Sequence, residues 1–254
     1  MSVKASGAHV YRLDLEYEGT RFKGWARQPG QRTVEGVLED ALATALRERV
    51  RLRVAGRTDA GVHALAQVAS FATARGDVRP ERLRRSLNAL LPEDVAVREV
   101  TLAPPGFDAR AARSRTYSYR LWVGPARPVL ARAVVWDVRG PVACEMLQAA
   151  AALLVGERDF AALTPSAHLY RSCVRTVHEA CWRPVGGGDE EWDFEITASS
   201  FLHMMVRVAV GSMVDVAQGR LSLEAFAAGL AGGERRALGQ TAPPRGLALV
   251  AVAY

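Results

Sequence analysis

The run Gly56-Arg57-Thr58-Asp59-Ala60-Gly61-Val62-His63-Ala64 sets a carboxylate, a guanidinium and an imidazole within seven residues of one another. Asp59 lies between glycines at the end of an apolar segment, so its carboxylate is presented on a loop over a rigid base. The glycines permit a tight turn and the close approach of a bulky ligand. On residue type alone, Asp59 also reads as a turn residue, and Arg57 as a solvated surface charge. A loop-to-strand histidine such as His63 reads as structural and stays outside the catalytic set. No second acid stands out beside Asp59, which argues against the paired carboxylates of a glycoside hydrolase.

Two further residues invite a chemical reading. Tyr117 sits mid-strand in Thr116-Tyr117-Ser118-Tyr119 and shares a face with Tyr119; by itself it is a β-favouring core aromatic. Arg207 interrupts an apolar helical run between Val206 and Val208. A cation there is costly unless paired, so it reads as half of an ion pair or as a guanidinium that snorkels to the surface.

The elements that must hold these residues follow from periodicity. Val10–Tyr17 alternates apolar and polar residues as a half-buried strand does. Thr33 caps a helix in which Val34, Val37, Leu38, Ala41, Leu42, Ala45 and Leu46 recur at helical spacing. Arg49–Val54 alternates again and delivers the chain to Gly56, and Gln67–Thr73 returns from the loop as a strand. Pro80–Leu91 predicts a short helix and Val95–Leu102 a strand. In the second half, Thr116–Val123 predicts a strand and Cys144–Val155 a helix. Arg175–Arg183 and Trp192–Ser199 predict a hairpin around Val185–Glu190. His203–Gln218 predicts a helix ended by Gly219, Ser222 caps another helix, and Leu247–Tyr254 predicts a closing strand. Short loops between strands indicate α+β architecture with largely antiparallel sheet. The halves echo each other in structure but carry no sequence repeat strong enough to count; the division falls near Pro104–Arg115, giving 1–105 and 106–254, with the Pro125–Pro141 connection as a second possible seam.

Composition sets the frame. Of 254 residues, 49% are hydrophobic and 24% charged, the balance of a folded chain rather than a disordered one. The net charge is +6, and Lys4 and Lys23 are the only lysines, so the basic surplus is almost all arginine, which suits phosphate oxygens and stacks on bases. A GC-rich genome would produce the same bias. Cys144, Cys173 and Cys181 are odd in number and form no C-x-x-C pair, which speaks against a disulfide framework or a zinc site. Met1–Val10 lacks a signal-peptide core, and the apolar stretches near Ala143–Val155 and Met204–Val210 are too short or interrupted to span a bilayer. The expectation is a cytoplasmic protein with no membrane association, no cofactor and no metal.

Gly56–Ala64 resembles the signature of the TruA family of tRNA pseudouridine synthases, and the resemblance continues in order along nearly the whole chain. Tyr17-Glu18-Gly19-Thr20, Phe22, Gly24-Trp25 and Gln28-Pro29 resemble that family's first strand and loop, and Thr33-Val34-Glu35-Gly36 with Leu38-Glu39 its first helix. Leu87-Asn88, Leu91-Pro92, Asp94, Phe107-Asp108-Ala109-Arg110 and Arg115-Thr116-Tyr117-Ser118-Tyr119 follow. Phe201-Leu202-His203-Met204-Met205-Val206-Arg207 and Thr241-Ala242-Pro243-Pro244-Arg245-Gly246-Leu247 complete it. Departures are Ala26 where the family usually has Gln, Asp108 where it usually has His, and Ala and Leu after Asp159-Phe160 where a second Phe is common. They bear on RNA contacts or packing and leave the central acid untouched.

The resemblance implies the pseudouridine synthase fold: two similar α/β halves around an extended, mainly antiparallel sheet, the first half carrying the Asp loop and the second completing the active-site cleft. It implies conversion of uridine to pseudouridine in the anticodon stem-loop of tRNA, at positions 38–40, by a homodimer. Asp59 would be the nucleophile, adding to C1′ of the sugar or to C6 of the ring, and Arg207 its salt-bridge partner. Tyr117 would stack its ring on the target uracil and hold its hydroxyl near the reacting ring. Arg57 would fill the space left by the extruded base or hold a phosphate. Local arginine groups, namely Arg21 with Lys23, then Arg82, Arg84 and Arg85, then Arg110, Arg113 and Arg115, are candidate tRNA guides or solvated faces. A rival reading is an RNA-binding module without catalysis; another is a hydrolase acting on a small glycoside.

Overall fold

The computed structural model describes residues 9–186 and 188–254. Lys4, the first eight residues of the stretch tested for a signal peptide, and Gly187 of the Val185–Glu190 loop lie outside the described residues. The chain divides into two compact units, Met1–Arg113 with Leu249–Tyr254, and Ser114–Ala248.

In the first unit, β1 (His9–Tyr17) is flanked by two antiparallel neighbours, β3 (His63–Thr73) and β4 (Val95–Leu102). Its alternation buries Tyr11, Leu13, Leu15 and Tyr17 on one face, as the period of two requires. α1 (Val34–Leu46) begins where Thr33 accepts a hydrogen bond from the Gly36 amide, 3.3 Å away. Val34, Leu38, Ala41, Leu42 and Leu46 form its buried stripe. The helix stops at Arg47, which adopts the left-handed conformation, φ 53°. α2 (Pro80–Leu90) starts on the proline and buries Leu83 and Leu87. Asn88 brackets β4, donating to Val97 O (2.9 Å) and accepting from Val97 N (2.8 Å).

The segment Arg49–Val54 departs from expectation: only β2 (Arg53–Val54) pairs, opposite Ser70 and Ala69 of β3. The Leu52 amide instead donates to the Glu39 carboxylate at 3.4 Å, so α1 competes with the sheet for this backbone. β3, in contrast, begins four residues earlier than its alternation suggests.

In the second unit, β5 (Ser114–Trp122) pairs antiparallel with β9 (Glu191–Ala198), β9 with β8 (Val174–Pro184), and β8 with the short edge strand β7 (Gly156–Asp159). β6 (Trp136–Asp137) adds a brief parallel pairing to β5. α3 (Cys144–Ala152) ends three residues before the expected Val155, because the chain tightens into turns and Gly156, φ 108°, redirects it into β7. α4 (Met205–Ala217) is buried along every residue except Arg207. α5 (Leu223–Gly232) is capped by Ser222, which accepts from the Ala225 amide at 3.0 Å.

The closing strand β10 (Leu247–Ala253) lies beside β3, and its residues from Leu249 onward belong to the first unit. There Tyr254 packs on Phe107, ring centroids 4.9 Å apart, and donates its hydroxyl hydrogen to Ala109 O at 2.8 Å. Both units thus mix helices with mainly antiparallel strands, the α+β class expected.

Candidate active site

In the first unit the loop carrying Asp59 is held from both sides. Behind it, the Tyr17 phenol lies 2.7 Å from the Thr58 hydroxyl, and Gln67 donates to both Tyr17 Oη (3.2 Å) and Gly56 O (2.8 Å). These groups are buried, so the triangle is a fully satisfied polar knot. Burial pushes the Tyr17 phenol up to about 12, against the opposing pull of its hydrogen bonds to Thr58 and Gln67. Tyr17 therefore serves as a neutral hydrogen-bonding post at all physiological pH values.

In front, the polar stretch after β1 wraps the loop. Trp25 N donates to Thr58 O (3.0 Å) and Gly61 N to Phe22 O (3.2 Å), while Val62 N closes a turn on Asp59 O (3.1 Å). A side chain at Gly19 would place its Cβ 2.0 Å from Val62 O, so only glycine lets the two strands of chain approach. His63 Nδ1 accepts from the Gly19 amide at 3.1 Å, and the ring is 6% exposed. That is the structural role expected of it. The same stretch is tied down further out: Arg32 forms a forked pair with buried Asp94 (2.7 and 2.8 Å) and lies 4.0 Å above the Phe22 ring. Asp59 itself is half-buried and Arg57 exposed. A carboxylate on a backbone this firmly held is aimed before any substrate arrives.

In the second unit Tyr117 is 7% exposed and stands edge-on to Phe201, centroids 5.1 Å apart at 88°. One strand position on, Tyr119 donates its hydroxyl hydrogen to Pro243 O at 2.8 Å. Burial pushes the Tyr119 phenol far up, with the charges of Arg207 and Arg245 pulling the other way, so Arg207 lies within electrostatic reach of this strand face. Arg207 is fixed by a reciprocal contact: its Nε donates to Ala242 O and its carbonyl accepts from Ala242 N, both 2.9 Å. The segment holding Ala242 crosses α4 closely enough that a Cβ on Gly211 would lie 2.0 Å from Gln240 O. Asp215 accepts from both the Gln240 amide and its side chain at 2.9 Å. At the entry to α4, Met204 holds the left-handed conformation, φ 61°, a region non-glycine residues seldom adopt. Such outliers mark places where the surrounding structure over-determines the backbone.

Arg57 and Asp59 thus belong to the first unit, Tyr117 and Arg207 to the second. Of the supporting residues, Tyr17 and Phe201 fall in segments that resemble the family but receive no role from the sequence, and Gln67 reads only as a strand residue. Tyr17 and Gln67 fit their strands as ordinary members, and nothing in their spacing announces that their polar ends meet at Thr58. The arginine groups separate by what they hold. Arg84 and Arg85 both bind Glu81 (2.8 and 3.1 Å). Arg110 is paired with Asp108, Arg113 donates to Tyr254 O, and Arg115 donates to Ser199 O at 2.9 Å. Asp108, which departs from the pattern noted above, also takes Arg53 at 2.8 Å and caps a short helical turn through the Arg110 amide. Among the described residues no group of three or more His, Cys, Asp and Glu side chains could hold a metal ion, and no helix is long and apolar enough to cross a membrane.

The family model described as tRNA pseudouridine synthase matches residues 15–110 and 150–254. A protein of Geotalea uraniireducens named tRNA pseudouridine synthase A is 42% identical over 245 residues, covering 96% of this chain and 98% of its own. Its namesake in Solidesulfovibrio magneticus is 43% identical over 253 residues, covering 96% and 90%. That of Geobacter sulfurreducens is 40% identical over 244 residues, covering 96% and 98%.

Proposed function

Given that the chain belongs to the tRNA pseudouridine synthase family, we propose that it isomerises uridine to pseudouridine in the anticodon stem-loop of tRNA, at positions 38–40. In this reaction the C1′–N1 bond breaks, the uracil turns, and C5 joins C1′. The C5 hydrogen leaves as a proton and N1 gains one. Nothing is oxidised or reduced, so the chemistry calls for neither redox cofactor nor metal.

Asp59 is the nucleophile, adding to C1′ or to C6 and dividing one hard step into two easier ones. Arg207 is its salt-bridge partner, keeping the carboxylate ionised and directed. Tyr117 stacks on the uracil with its hydroxyl beside the reacting ring, and Arg57, exposed beside the acid, occupies the space of the extruded base or holds a phosphate. The observation that carries this reading is the Asp59 loop, a half-buried carboxylate whose neighbours on both sides are tied to buried partners. The active-site cleft is completed by the second half of the chain, the working form is a homodimer, and the compartment is the cytoplasm.

Purified protein incubated with tRNA carrying C5-tritiated uridine tests the assignment. Tritium release with pseudouridine mapped to the anticodon stem-loop is the expected result. No release at high protein concentration would leave an RNA binder without catalysis, and free uracil in the products would point to a hydrolase.

A further inference from the structure

The first unit contains a second cationic site, away from Asp59. A cavity of about 370 Å³ opens where the end of α1 meets the start of α2. Its walls carry Arg47, Arg75, Arg79 and Arg82 against a single acid, Asp77, above a floor that includes Leu46 and Leu83. Arg75 is already spent. Its fork grips Asp77 at 2.9 and 2.7 Å, and its other nitrogen donates to Leu46 O, a free carbonyl at the end of α1, at 2.5 Å. It braces the pocket wall and neutralises the one acid. Arg47, Arg79 and Arg82 remain, all exposed, and among the described residues none of the three pairs with a carboxylate.

Arg47 supplies an independent sign. It ends α1 in the left-handed conformation, φ 53°, where glycine is the residue the backbone favours. An arginine there accepts roughly 1 kcal/mol of backbone strain, and the residue so placed lines this cavity. Arg79 occupies the N-cap of α2 with no side-chain cap, so the positive end of that helix lies beside the cavity's lining. Three unspent guanidinium groups around a concave site form a receptor for phosphate oxygens.

The position of the cavity decides which phosphate. α1 starts against the Asp59 loop, since Val34 N bonds Gly24 O and Trp25 N bonds Thr58 O. Its 13 residues carry Arg47 away by about 20 Å at 1.5 Å per residue. β3 likewise leaves the loop at His63, and its 11 residues lead toward Arg75 over roughly 35 Å. A site on the order of 20–35 Å from the carboxylate is too far to touch the target nucleotide and well placed for another part of the same RNA. We propose that Arg47, Arg79 and Arg82 form an accessory site for the phosphodiester backbone of tRNA outside the anticodon stem-loop. This rests on tRNA being the substrate.

The test compares full-length tRNA with an isolated anticodon stem-loop hairpin, each binding the full chain or the triple variant Arg47→Gly, Arg79→Gln, Arg82→Gln. The variant should bind tRNA about tenfold or more weakly, with the slope of log affinity against log salt shallower by about 2–3. Hairpin affinity should stay within about twofold, a change close to neutral on the free-energy scale. Arg47→Gly alone should keep or raise the thermal midpoint, because glycine relieves the left-handed turn, while still weakening tRNA binding. Unchanged tRNA affinity and slope overturn the proposal, as does equal weakening of hairpin and tRNA. A calorimetric titration with inorganic phosphate separates the remaining source: saturable phosphate binding lost in the variant, with tRNA affinity intact, would assign the pocket to a free phosphate and overturn it too. Because these are binding measurements, a wild-type protein that bound tRNA through this site yet made no pseudouridine would overturn the assigned activity and leave the site standing.

Discussion

The phenol of Tyr17 sits 2.7 Å from the hydroxyl of Thr58, the residue immediately before the carboxylate that defines the site. β1 thereby grips the Asp59 loop through a side chain, and the position of Asp59 is coupled to that strand. Tyr17→Phe keeps the ring and removes the grip, leaving Thr58 and Gln67 short of a buried partner. A loss of about 1–3 kcal/mol in stability is expected, together with a fall in kcat of about tenfold and little change in KM, since the carboxylate is loosened and the RNA surface is not. Urea denaturation and steady-state kinetics check both; an unaltered kcat would show that the grip does not position the acid.

Asp59→Asn is nearly isosteric and removes the proposed nucleophile. Turnover should vanish in the tritium-release assay while tRNA binding in a filter assay stays close to that of the parent. Substantial residual activity would remove Asp59 from its role. A double-mutant cycle on stability with Arg207→Gln should return a coupling of about 0.5–3 kcal/mol if the two charges are partners, and strict additivity would count against that pairing.

Tyr117→Phe should lower turnover far more than it lowers stability. The ring and its edge-on contact with Phe201 survive the change, so packing is preserved and only the hydroxyl is lost. A normal rate, measured under saturating tRNA, would make Tyr117 a core aromatic and nothing more.

Asp94 offers a pH test remote from the chemistry. The hydrogen-bonded Arg32 guanidinium beside it holds its carboxyl below the ordinary value of 3.8. Its folded pKa is depressed relative to the unfolded chain, so its contribution to stability is present above the ordinary carboxyl value and is lost as pH falls through the folded one. The stability gap between wild type and Asp94→Asn should be widest near neutrality and close in strong acid, as followed by denaturation midpoints across that range. A gap independent of pH would separate Asp94 from the acid response.

The sequence made α1 and its Thr33 cap legible to the residue, because capping chemistry and a 3.6-residue stripe are both local signals. The α4 boundary was less so: the apolar run suggests a start at His203, but the helix begins at Met205, after Met204 has taken a left-handed turn that pattern alone does not encode. Arg49–Val54 alternates convincingly, yet among the described residues only its last two, Arg53 and Val54, pair with a strand. β7 went unread because Gly156-Glu157-Arg158-Asp159 has no apolar face; it forms because β8 offers an open edge. Of the site, the motif residues stand out in the sequence, whereas their supports do not. Tyr17 and Ala242 fall in matched segments and Gln67 in a strand, but all three act through contacts between segments far apart in the chain, and no local pattern records those contacts.

The return of β10 to the first unit has a consequence for synthesis. Leu249–Tyr254 supplies the Ala253 carbonyl for the Arg113 amide and the ring that covers Phe107. A nascent chain halted anywhere in the intervening 135 residues, Ser114–Ala248, would hold its oldest segment with a strand still missing. The part translated first would therefore be finished last, and the exposed flank of β3 would wait for its partner throughout elongation.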